Sequence, residues 1–214
     1  MIFSYSNTFQ TRYAHIAGIA DSILTQSGNL ILDSFKAVNI PVKTGDVVGQ
    51  ESRRLPQKCL DMFATDSDIT VKFIQPDHHN ESIHAVCPLD YFENSVKTML
   101  LSKNPRTEEP RGGTILYDKA GTLAGDWYTG GLKKYSEGDN EHSLTIAYDN
   151  VDPSLIRIGI GGTLIDGWGL FAVAGNGPDP ATVTKDSGMV VYKLTDRYDS
   201  KVLYTLIMHA SNGR

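Results

Sequence analysis

The chain has 214 residues, 40% of them hydrophobic, enough to bury one large core or two small ones. Charged residues make up 21% and the formal net charge is −5, which argues against a strong electrostatic affinity for nucleic acid or an anionic membrane. No stretch approaches the roughly 18 consecutive apolar residues of a membrane span. The opening "MIFSYSNTFQTRY" lacks the basic and then apolar order of a signal peptide. The expectation is a cytoplasmic protein by default, or a fragment of a longer one.

Twenty glycines and nine prolines punctuate short runs rich in Val, Ile, Thr, Tyr and Phe, so the class expected is mainly β. In chain order, strands are expected at 2–7, 11–16, 35–40, 68–75 and 82–86, then at 113–117, 123–129, 143–149, 155–161, 168–174, 188–194 and 201–209. In "DITVKFI" and "SLTIAY" apolar and polar residues alternate, the period of a half-buried strand. Helix is expected in two places. Residues 18–26 ("GIADSILTQ") suit a short one. Residues 88–102 suit a longer one, with Leu89, Phe92, Val96, Met99 and Leu100 on one face and Pro88 in the first turn.

The polar segment "SKNPRTEEPRGG" (102–113) reads as a surface connection, so the chain is divided near 87–110. Residues 88–214 are expected to hold one amphipathic helix and an antiparallel β-barrel or sandwich, its strands running as a meander that closes toward a barrel. "GNGPDPAT" (175–182) is read as a flexible loop over the barrel mouth. "GIGGTLIDGWG" (159–169) is glycine-rich but lies between two expected strands, so it reads as a hairpin rather than a nucleotide loop.

"TRYAHI", followed by "VKTGDVVGQ" at 42–50, resembles the lysostaphin-like (LytM-type) zinc endopeptidases, over roughly residues 1–76. Gly45 and Asp46 suit a tight reversal between strands, a turn also found in biotin- and lipoyl-carrier domains. The resemblance implies a zinc held by an upstream His-x-x-x-Asp motif and by the second His of a later His-x-His pair. Here the upstream motif has no counterpart, and Asp68 and Thr70 stand at the His-x-His positions. Of the family's catalytic set His15 remains, where its equivalent assists the reaction without binding metal. The resemblance therefore implies that residues 1–87 form a flattened β-sandwich of the barrel-sandwich hybrid kind, a peptidase-like scaffold with a degenerate site. Residues 87–165 resemble a segment of uncharacterised microbial and metagenomic proteins, on the elements "CPLDYFENSVKTMLLSK", "RTEEP" at 106–110, "GTLAGDWY" at 121–128 and "YDNVDP" at 148–153. That likeness implies no activity.

Histidines cluster in "PDHHNESIHAVC" (76–87), and His78, His79 and His84 form an alternative metal site beside the plainer reading of a polar loop entering a strand. Cys59 and Cys87 leave open one bridge or two buried thiols. No nucleophile elbow, phosphate loop or dinucleotide fingerprint is present. Trp127 is read as a core aromatic or as the plug of a barrel base. Trp168, Phe171, Tyr148 and Tyr192 are either core or pocket lining, and Asp118, Asp126, Asp149 and Asp152 are read as turn formers.

The function expected is a non-catalytic binding or structural protein without a cofactor, with Tyr13, His15, Trp127 and Trp168 as candidate binding residues. Its partner would be a small molecule, a saccharide or another protein, with no nucleic acid and no membrane span. The alternatives are a metal-dependent hydrolase using His15 with the 77–84 cluster, and a small-molecule carrier with a closed apolar cavity in the C-terminal barrel.

Overall fold

The computed structural model describes residues 1–31, 34–51, 60–132, 142–162, 164–165, 167–196 and 201–211. The fold is mainly β, and the chain divides into two compact units, Met1–Asp68 and Ile69–Arg214. No helix among the described residues is long and apolar enough to cross a membrane.

In the first unit, β1 (Ile2–Ser4) and β2 (Phe9–Ala14) form a hairpin, and β2 pairs in turn with β5 (Asp61–Asp66), from Phe9 opposite Asp66 to Ala14 opposite Asp61. The β1–β2 turn is closed by the Ser6 hydroxyl, which accepts the Thr8 and Phe9 N–H groups at 3.1 and 2.9 Å. Strand β3 (Ile16–Ile19) pairs with β4 (Gly49–Glu51) in a separate ribbon, and helix α1 (Asp21–Ser27) follows β3. The reversal before β4 forms where Gly45 and Asp46 call for it. Gly45 takes φ 91°, the Asp46 carboxylate accepts the Lys43 N–H at 2.8 Å, and the Asp46 N–H donates to the Lys43 carbonyl at 3.0 Å.

Three expected strands are absent. Residues 113–117 and 35–40 carry no strand, and the alternating "DITVKFI" is irregular chain. Its backbone groups are satisfied elsewhere, Val71 N–H on the Ile83 carbonyl at 2.7 Å and Ile74 N–H on the Asp118 carboxylate at 2.6 Å. Strand β5 is formed instead by the preceding residues, so Asp68 and Thr70 do not lie on a strand.

The second unit begins with short 3-10 turns at Pro76–His78 and Glu81–His84 and the two-residue strand β6 (Ala85–Val86). The expected single helix at 88–102 is broken. A 3-10 turn spans Pro88–Tyr91, Phe92 and Glu93 are extended, and helix α2 runs Asn94–Lys103 with no buried residue. The expected apolar face therefore does not serve as a core face. Cys87 carries a free thiol, while Cys59 lies outside the described residues.

Six strands follow: β7 (Gly125–Tyr128), β8 (Ser143–Tyr148), β9 (Ile156–Ile160), β10 (Gly169–Val173), β11 (Met189–Asp196) and β12 (Val202–His209). They pair antiparallel in sequence order as a meander, which curls into a half-barrel with β7 and β12 at its two ends. Strand β11 shows why: Val190, Tyr192 and Leu194 point inward and are buried, while Met189, Val191 and Lys193 are exposed. The inward side chains of β8, β9, β10 and β11, with Leu123 and Val183, make one core around Ile146, Ile158 and Tyr192. The 159–169 segment links β9 to β10 as the expected hairpin.

The 175–182 connection differs from the flexible loop expected. Pro180 is fully buried, the Tyr192 hydroxyl donates to the Pro178 carbonyl at 2.9 Å, and the Tyr148 hydroxyl donates to Asp179. Two tyrosines of the sheet hold it down.

Candidate ligand cleft

The concave face of the half-barrel holds a half-open cleft of about 290 Å³. Leu123 and the β7 residue Trp127 form one wall, Leu144 and Ile146 of β8 the floor, and the end of β12 with Met208, His209, Ala210 and Ser211 the other wall. Strand pleating explains the set. Trp127 lies opposite Leu144 and Gly125 opposite Ile146, so this face of the β7–β8 pair is wholly apolar apart from the indole. Gly125 takes φ 114°, which L side chains rarely adopt, where the chain enters β7.

The indole N–H of Trp127 donates to the Leu123 carbonyl at 2.9 Å, which fixes the ring and uses its donor. What Trp127 offers the cleft is therefore an aromatic surface without a free hydrogen bond. The cleft is half-open, in contrast to the closed cavity expected of a carrier.

The opposite face of β7 is polar and holds down the chain that precedes it. His79 stacks on Phe73 with ring centroids 3.6 Å apart and planes at 8°, and His78, which is 8% exposed, stacks on Tyr128 at 4.0 Å and 14°. His79 Nε2 lies 3.7 Å from Asp126 Oδ2 and 3.5 Å from the Tyr128 hydroxyl. Asp126 Oδ1 accepts from the Thr145 hydroxyl at 2.5 Å. Asp118 ties the layers together, because its two oxygens accept the Asp126 N–H at 3.0 Å and the Ile74 N–H at 2.6 Å. Burial holds the His79 imidazole below its usual pKa, against the opposing pull of Asp126 and Asp118. Asp118 and Asp126 thus act over long range, whereas Asp149 and Asp152 are the turn formers that the sequence suggests, bonding N–H groups two or three residues on.

Two of the four candidate binding residues belong to each unit. Tyr13 sits on β2, half-buried and edge-on to Phe3, and burial raises its phenol pKa. His15 joins β2 to β3 at φ 59°, an unusual conformation for a non-glycine residue, and its Nε2 lies 3.0 Å from Asp61 Oδ2. Trp127 lines the cleft, and Trp168 is 80% exposed beside β10. His78 and His79 face the Tyr128 and Phe73 rings, whereas His84 Nδ1 lies 2.7 Å from the Ile69 carbonyl. Among the described residues no group of three or more His, Cys, Asp and Glu side chains is gathered so as to hold a metal ion.

Sequence inspection missed Phe73, Asp118, Asp126 and Tyr128 as partners of the histidines. The signal available was the adjacent pair His78-His79, whose side chains must diverge and so reach two different rings. The chain matches no family model, no curated protein and no solved structure.

Proposed function

We propose that this chain is a non-catalytic binding protein and that the cleft against Trp127 takes a small apolar molecule. The observation that carries the reading is the composition of the cleft: Leu123, Leu144, Ile146 and Met208 surround an indole whose only donor is already bonded. The apolar part of such a surface rewards burial of hydrocarbon, while His209 and Ser211 at the end of β12 are the polar side chains it presents. The volume lies at the lower end of the roughly 300–1,000 Å³ range of small-molecule sites, so the ligand is one or two rings or a short chain. The first unit, with Tyr13 and His15 ahead of the 42–50 reversal, is read as a peptidase-like scaffold without its metal ligands.

The test uses the Trp168→Phe variant, which leaves Trp127 as the single tryptophan. Titration with N-phenyl-1-naphthylamine is expected to quench Trp127 and raise probe emission with one-to-one saturation. Filling the cleft with Met208→Trp is expected to abolish the probe's own emission rise. Probe emission that fails to saturate, or that survives the filling substitution, would sink the reading.

A further inference from the structure

Strand β7 has the cleft on one face and the histidine clasp on the other. Trp127 points to the first, and Asp126 and Tyr128 to the second. It stands at one end of the meander, and its ladder partner among the described residues is β8. Whatever fixes its outer face therefore also fixes the wall of the cleft. We propose that the His78–His79 clasp is an acid-sensitive latch on β7, and that its release loosens the Trp127 wall and lowers the cleft's affinity for its apolar ligand. The regulatory part of this inference rests on the cleft being a binding site, whereas the latch itself does not.

The physical basis is the layer in which His79 sits. Its imidazole is pressed face to face on Phe73, and its side chain is 11% exposed. A neutral ring stacks there without cost. A protonated one must give up water on the side covered by Phe73, a cost that the Asp126 carboxylate, 3.7 Å away, offsets only in part. The charged and titratable groups around it are Asp126 and Tyr128 from β7, Asp118 from the segment before β7, and His78 from its own turn. The two carboxylates favour the imidazolium, while burial and His78 oppose it, and the net effect is a pKa below the usual value. A histidine whose folded pKa is depressed contributes stability that is complete above its unfolded pKa near 6.5 and is lost as pH falls through that value toward the lower folded one. The latch is closed at neutral pH and opens on acidification.

Two measurements on the Trp168→Phe chain separate the latch from the ligand site. The first follows the Trp127 emission maximum from about pH 8 to about pH 5 without ligand. A red shift is expected, absent in His79→Phe, which keeps the stack on Phe73 but cannot titrate, and retained in His78→Phe and in His209→Gln, which removes the imidazole lining the cleft. The second compares N-phenyl-1-naphthylamine affinity at the two pH values, with a loss of about tenfold expected on acidification and none in His79→Phe. Proton NMR of the His79 ring is expected to give a midpoint below 6.5 that coincides with the fluorescence midpoint. That comparison needs no substitution in the clasp, so it decides the matter even where His79→Phe harms folding. A shift that survives His79→Phe, or midpoints that differ, overturns the latch. Absence of saturable probe binding at about pH 8 overturns the ligand site and leaves the emission shift to decide the latch.

Discussion

Arg106 is 4% exposed, and its guanidinium is held by backbone carbonyls: Nε donates to Glu108 and Pro110 at 2.9 and 2.7 Å, and Nη1 to Asn150 at 3.0 Å. One side chain thus joins "RTEEP" to "YDNVDP", the two elements that stand out in the sequence without a chemical role. Arg111 reinforces the loop, donating to the Arg106 and Leu101 carbonyls at 2.6 and 2.9 Å. Gly113 must be glycine here, since its φ is 77° and a Cβ would meet the Asn150 side-chain oxygen at 2.0 Å. Arg106→Met removes the charged donor from these carbonyls and is expected to cost ~2 kcal/mol, read as a lower urea midpoint at unchanged slope. Arg106→Lys is expected to recover little, because an ammonium cannot span the carbonyls that the planar fork reaches. A variant as stable as the wild type would show that the loop finds other donors. The sequence marks Arg106 as unusual by its setting of prolines and acids, but only folding places the Asn150 carbonyl before it.

At the scale of elements, the six strands of the meander are legible because inward apolar residues recur at every second position and glycine- or aspartate-bearing turns separate the runs. The same alternation misleads at "DITVKFI". Its apolar residues are used singly, Phe73 as the platform for His79, and the Asp118 carboxylate replaces a neighbouring strand as acceptor for Ile74. Strand β5, "DMFATD", is hard to read because it opens and closes on aspartates, yet its six residues are fully paired with β2. The cleft was half legible. Trp127 stands out as one of two tryptophans, but that the end of β12 curls back to face it depends on sheet curvature, which no local pattern encodes. The 175–182 connection carries the prediction at this scale. Removing the Tyr192 hydroxyl leaves the Pro178 carbonyl without its donor, so Tyr192→Phe is expected to cost about 1 kcal/mol. It should also speed native-state proteolysis within 175–182, which normally requires the segment to lift off the sheet. An unchanged cleavage rate would mean that buried Pro180 alone secures the connection.

For the molecule as a whole, the two units use their polar side chains differently. In the first, the His15–Asp61 contact lies at a strand junction with Asp61 largely exposed, where such contacts contribute little. The second gathers its polar groups on the sheet, and two of them set its alkaline limit. Burial first, and then the hydrogen bond and charge of Asp179, push the Tyr148 phenol up to about 12, and burial followed by the Asp179 charge does the same to Tyr192. Both must stay protonated, since each donates its proton to the 175–182 connection. A phenol whose folded pKa is raised contributes stability that is intact below its unfolded pKa near 10 and is lost as pH climbs from there toward about 12. The melting temperature of the second unit is therefore expected to hold steady up to about pH 9 and fall steeply beyond about pH 10. Near-ultraviolet titration should show a class of tyrosines ionising together with the loss of tertiary structure, and Tyr148→Phe should soften the fall, because one of the two protons no longer has to be retained. Tyrosines that all ionise near pH 10 in a chain whose circular dichroism stays native would contradict the account, since burial beside Asp179 leaves no means of stabilising a phenolate there.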